Sequence, residues 1–287
     1  MRGPFLTLTP VCVFLGTAAS LTYTADIQTL DVLLVMIGAL SAHICVNTLN
    51  EYLDFKSGLD AVTARTPFSG GSGGLVADPD SVNSVLYLAT ATLTITLLIG
   101  LYFMITGGLL ILPVGIAGIL IVLTYTQWLN RMPWLCLIAP GVAFGPLIVV
   151  GTHIALTGEF SMRAFYLSLI PFFLTNNLLL LNQYPDIAAD QSTGRKTFPI
   201  VYGIRNSSIV YGVFVTLSCV VLGIGLWLEW LPTLSNLCFI PLAVALPTLI
   251  CSAKFAKQPL KLTPFLALNI VVALLTPLLL GLSIIIG

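Results

Sequence analysis

A chain of 287 residues with 57% hydrophobic and only 8% charged side chains lacks the material for a water-facing surface, because a soluble domain devotes roughly a quarter of its residues to charge. Mean hydropathy is +1.04 and the formal net charge is zero, which excludes bulk attraction to nucleic acid or another polyanion. The composition points instead to an all-α, polytopic membrane protein.

In chain order the apolar runs predict nine spans, at about 4–24, 29–53, 83–106, 107–128, 134–156, 162–183, 207–229, 235–253 and 262–286. The first is Thr-rich and interrupted by Pro10. It also carries a small-residue run from Gly16 to Ser20 behind Arg2, as signal peptides do, and its cleavage would not turn the other spans over. No composition shift divides the chain, so residues 1–287 are expected to form one membrane-embedded domain. The six cysteines, with no Cys-x-x-Cys pair, read as small apolar packers. His43 and His153 read as packed helix residues.

Orientation follows from the basic residues. With the amino terminus inside, ten of the eleven Lys and Arg fall on cytoplasmic segments, and Arg163 is the exception. The external connections carry Asp26, Asp31, Glu159 and Glu229. The chain is therefore expected in the cell's inner or plasma membrane with a cytoplasmic amino terminus.

Two stretches at cytoplasmic helix ends share one grammar. Asn50-x-x-x-Asp54 is followed by Asp60, and Asn182-x-x-x-Asp186-x-x-x-Asp190 comes four spans later. Spacings of four place Asn and Asp on one face of a helix. Acids near hydrocarbon are costly, and two matched clusters at equal topological depth point to function. Asp78 and Asp80 beside Pro79 read as solvated loop residues. Carboxylates and amide carbonyls without His or Cys suit a hard cation such as Mg²⁺, which leans on substrate phosphates. The clusters are expected to face each other across a cavity and hold magnesium over a diphosphate, whose growing charge the cations neutralise. A Gly-rich loop, Arg65 to Gly74, follows the first cluster, and Gly194-Arg195-Lys196-Thr197 follows the second. Their amides and cations can contact phosphate oxygens.

These paired motifs resemble those of the UbiA-type intramembrane prenyltransferases, in the form of the menaquinone-biosynthesis (1,4-dihydroxy-2-naphthoate prenyltransferase-like) branch. Phe144-Gly145-Pro146 and Thr157-Gly158 are similar to the same branch. The resemblance implies a nine-helix bundle around a central cavity open towards lipid. It implies that Asn50, Asp54, Asp60, Asn182, Asp186 and Asp190 hold two Mg²⁺ ions. Asn50, Asn182, Arg65, Arg131, Arg195 and Lys196 would bind the diphosphate. Asp54, Asp186 and Tyr125 would be catalytic. Where the family carries a Lys four residues after that Tyr, position 129 is Leu, and Arg131 is the nearest basic residue. The branch's acid ahead of Phe-Gly-Pro is replaced by Ile138-Ala139-Pro140-Gly141.

The implied reaction moves a polyprenyl group from a prenyl diphosphate to a small aromatic acceptor. Two other readings stay open. A UbiA-type terpene cyclase would use the prenyl diphosphate alone. A lipid or small-anion transporter would place polar residues near the midplane of broken helices rather than at helix ends.

Overall fold

In the computed structural model, which describes residues 3–24, 26–63 and 70–287, the chain folds into helices with no strand among the described residues. In order these are α1 (Leu8–Leu21), α2 (Thr29–Lys56), α3 (Pro79–Gly107), α4 (Ile111–Thr124), α5 (Pro133–Thr157), α6 (Met162–Asn182), α7 (Phe198–Trp227), α8 (Thr233–Phe255) and α9 (Pro259–Ile286). Seven are long and apolar enough to cross a membrane, because 20 residues rising about 1.5 Å each match a hydrocarbon core about 30 Å thick. The chain is an integral membrane protein. Helices α1 and α4 are apolar but only 14 residues long. The runs expected at about 4–24 and 107–128 are thus shorter as helices than as hydropathy. Gly3–Thr7 is a 3₁₀ turn that leads into α1, and Gly107 and Gly108 end α3 just before α4.

Helix α7 departs from its expected start the other way. It begins at Phe198, ahead of the predicted position near 207, because Pro199 suits a helical first turn. Hydropathy alone misses the polar stretch Arg205 to Ser208. Gly203, at φ 78° and ψ 168°, kinks the helix there.

Helix α6 is the centre of the bundle. Leu167, Ile170, Leu174, Leu178 and Leu181 on it are all buried, whereas α3, α4 and α8 turn residues such as Leu98, Ile105, Leu120 and Ile250 outward as a lipid-facing surface. Hydrophobic contrast cannot hold helices together in lipid, so close approach and polar contacts do. A Cβ on Gly141 of α5 would collide with the Phe172 carbonyl and Asn176 of α6, and one on Gly145 with the Ser168 carbonyl. Helix α1 is seated the same way, with Gly16 against Val149 and Thr152 of α5. Asn177 of α6 donates to the Tyr211 carbonyl of α7 at 3.0 Å. Tyr211 donates its hydroxyl to Asn269 of α9 at 2.9 Å, and Asn269 donates back to the Asn177 carbonyl at 3.1 Å.

Within α5, residues Ala143–Val150 form a π-helical stretch. Pro146 lacks the N–H that an α-helical ladder needs, and the wider coil accommodates it. This stretch presents Ala143 and Phe144 to the cavity described next.

Candidate active site

One cavity of about 260 Å³ opens among α1, α2, α5 and α6 and the loops that follow α2 and α6. Helix α2 supplies His43, Asn47, Asn50 and Asp54, one stripe at helical spacing. Just past its end, Ser57 and Gly58 (φ 78°) turn the chain, and Asp60 reaches the cavity from the short helical turn Leu59–Val62. The second motif is not one continuous helical stripe as its spacing suggests. Helix α6 stops at Asn182, Pro185 follows, and Asp186 caps the separate turn Ile187–Ser192 that carries Asp190. Asn182, Asp186 and Asp190 line the cavity from either side of this break.

Asn50, Asp54, Asp60, Tyr125, Asn182, Asp186, Asp190 and Arg195 all line this cavity, and Asp54, Asp60, Asn182 and Asp190 are buried. Arg131 and Lys196 are exposed and are not among its lining residues; Lys196 contributes its backbone N–H to the Asn130 carbonyl at 2.9 Å. Arg65 lies outside the described residues.

Polar contacts tie the two motifs together. Arg195 pairs with Asp54 through Nη2 and with Asp190 Oδ1 through Nη1 at 3.0 Å, so one guanidinium joins both acidic walls. Burial pushes the Asp190 carboxyl above the usual carboxylate range, with Arg195 pulling the other way. Gly70 N–H donates to Asp186 Oδ2 at 3.1 Å. Gly71, at φ 70°, lies so close to Asp60 that a Cβ would sit 2.7 Å from Oδ1. Ser72 donates to Glu51. The glycines of this loop therefore bring backbone against the carboxylates of both motifs. Thr126, beyond the end of α4, donates to Asn50 Oδ1 at 3.0 Å.

The charge balance is lopsided. Among the described lining residues, Glu51, Asp54, Asp60, Asp186 and Asp190 face the single cation Arg195, an excess of four negative charges. A phosphorylated ligand is repelled by such a wall unless divalent cations accompany it. The donor set fits magnesium: hard oxygens throughout, including the buried carbonyl Oδ1 of Asn182, which has no hydrogen-bond partner among the described residues. No three His, Cys, Asp or Glu side chains among the described residues are set to close on one ion by themselves.

The sequence profile of the UbiA prenyltransferase family matches residues 9–270. The chain belongs to that family. Its sequence is 29% identical over 209 residues to a 1,4-dihydroxy-2-naphthoate octaprenyltransferase of Bacillus subtilis, covering 72% of this chain. The match spans 65% of that relative's own length, less than two thirds. The fold is similar to that of a UbiA homologue from Aeropyrum pernix solved without ligand, with a TM-score of 0.74 at 18% identity, over 98% of this chain and 97% of that one. A UbiA homologue from Archaeoglobus fulgidus bound to GPP and Mg²⁺ aligns with a TM-score of 0.57 at 16% identity, over 96% and 99% of the two chains.

For a UbiA protein the motif acids are the conspicuous signal. The sequence reading passed over Thr126, whose bond to Asn50 joins distant positions, and Thr197, whose buried Oγ1 has no partner among the described residues. It took His43 for a packed helix residue, whereas His43 lines the cavity, and it passed over Asn47. Extending the Asn50/Asp54 stripe two turns backwards would have found both.

Proposed function

We propose that this chain transfers a polyprenyl group from a prenyl diphosphate to an aromatic acceptor of the dihydroxynaphthoate class, at a magnesium-dependent site on the cytoplasmic side. The observation that carries the reading is the convergence of both Asn/Asp motifs, 132 positions apart at Asn50 and Asn182 on α2 and α6, on one cavity lined by acidic and apolar residues alike. The dihydroxynaphthoate class is suggested by the Bacillus subtilis relative.

In this reading Asn50, Asp54, Asp60, Asn182, Asp186 and Asp190 hold the ions. Bound magnesium supplies neutralisation of the charge that grows on the leaving oxygen as the carbon–oxygen bond breaks. Arg195 adds the one cationic side chain on the described lining, and the Gly70–Ser72 backbone positions Asp186 and Asp60. Leu8, Pro140 and Leu178 line the apolar part, which takes the isoprenyl tail and keeps water from the allylic cation. The electron pair of the broken bond goes to the diphosphate. The acceptor carbon bonds to the prenyl carbon, and its proton leaves towards the carboxylate-lined end, where diphosphate can take it. The cytoplasmic assignment rests on the ten Lys and Arg that helix parity places on that side.

The test is purified protein in lipid with labelled geranylgeranyl diphosphate, magnesium and 1,4-dihydroxy-2-naphthoate, with products read by mass spectrometry. A prenylated naphthol supports the reading. A hydrocarbon or terpene alcohol formed equally without acceptor would replace it with the cyclase reading.

A further inference from the structure

His43 sits near the middle of α2, about two turns, or roughly 10 Å, from Asn50 towards the membrane interior. Three helices meet around it. Thr9 of α1 places Oγ1 2.7 Å from Nδ1, and the ring packs edge-to-face on Phe144 of α5 with centroids 4.8 Å apart. Thr9 is fully buried and His43 is nine-tenths buried, and His43 lines the cavity.

The two ring nitrogens differ in consequence. Nδ1 is engaged by Thr9, whereas Nε2 meets no donor or acceptor among the described residues and is not sealed off by protein. His153 is the contrast. It is fully buried on α5, lines no part of this cavity, bonds Ser20 through Nδ1, and has Nε2 closed in by protein. His153 is placed as a packed residue, and His43 is placed as a wall residue of the cavity with one ring nitrogen left unsealed. Because a threonine hydroxyl can donate or accept, Thr9 supports either tautomer, and Nε2 can present an N–H or a lone pair to the cavity.

We infer that His43 is an acceptor-binding residue, its Nε2 hydrogen-bonding a ring hydroxyl of the aromatic acceptor while Phe144 flanks the ring. The inference rests on the transfer reading above and assigns it a second subsite. Donor and acceptor then share one cavity, with the diphosphate at the carboxylates and the acceptor's polar edge deeper, on the same stripe of α2. A buried group built to bond a hydroxyl rejects an analogue without it more strongly than an apolar pocket can. His43 would therefore set acceptor specificity and leave the ionisation machinery untouched.

The experiment crosses enzyme with acceptor. Wild type, His43→Phe and His43→Gln in lipid are given geranylgeranyl diphosphate, magnesium and either 1,4-dihydroxy-2-naphthoate or its two monohydroxy analogues. Wild type is expected to favour the dihydroxy acceptor over at least one analogue by tenfold or more in kcat/KM. In His43→Phe that preference should shrink to about twofold, through a raised acceptor KM, with the donor KM and magnesium requirement unchanged. His43→Gln, which keeps a polar group near Nε2, should recover part of it. Wild-type discrimination retained in His43→Phe, or losses shared equally by donor and acceptor, would overturn the inference and leave the transfer reading standing. Absence of acceptor-dependent product from wild type would instead remove the transfer reading, and this inference with it.

Discussion

Arg195 is paired with Asp54, a residue 141 positions earlier in the chain, and the same guanidinium holds Asp190. The two motifs are thereby joined directly, by one cation that lies between their carboxylates. Breaking a largely buried pair leaves charge without compensation, at a cost of about 3 kcal/mol. Arg195→Gln is expected to lower the thermal unfolding midpoint in detergent by several degrees and to reduce prenyl transfer. Adding Asp54→Asn to it should cost less than the two single changes together, with a coupling of about 1–3 kcal/mol. Strict additivity would show that the pair carries no energy.

Gly71 adopts φ 70° against Asp60. Alanine there meets both backbone strain of about 1–2 kcal/mol and the carboxylate oxygen. Gly71→Ala should therefore displace Asp60 and raise the magnesium concentration giving half-maximal rate by about tenfold, measured by titrating the metal at saturating donor. Gly58→Ala has a positive φ but open space around it, so it should lose stability without that shift in metal dependence.

The contact of α5 with α6 depends on Gly141, where any side chain collides with Phe172 and Asn176. Gly141→Val is expected to cost about 2–4 kcal/mol through overpacking and to abolish folded protein on size-exclusion chromatography. At Gly223, where nothing lies within 4 Å, alanine should be neutral or stabilise by about 0.5–1 kcal/mol through helix propensity.

Much of this arrangement was legible in the sequence, and the reasons differ by element. Apolar runs located the long helices because hydrocarbon demands internally satisfied backbone. The acids stood out because charge is rare in such a chain. Hydropathy could not tell that α1 and α4 are short, since apolar residues continue past their ends. It missed the first turns of α7 because Arg205 to Ser208 are polar yet helical. The Asn182-to-Asp190 spacing read as one helix because periodicity does not show the break after Asn182. The Arg195 bridge is a tertiary relationship, with no local pattern to announce it.

Asn182 offers a buried carbonyl oxygen with no protein partner among the described residues. Asn182→Leu, close in volume, removes a donor that the folded protein does not use. It should leave the unfolding midpoint within about 2 °C of wild type, or raise it, since an unsatisfied buried group costs about 1–3 kcal/mol. Transfer should nonetheless fall at least tenfold. A parallel loss of stability and activity would mark Asn182 as structural.

The most direct measurement of the central claim is diphosphate release from geranylgeranyl diphosphate by wild type, Asp54→Asn and Asp186→Asn, with magnesium and with a chelator. Release is expected to need the divalent cation and to fall at least a hundredfold in either variant, both variants remaining folded. Release that continues at the wild-type rate in Asp186→Asn, or with every divalent cation removed, would contradict that claim.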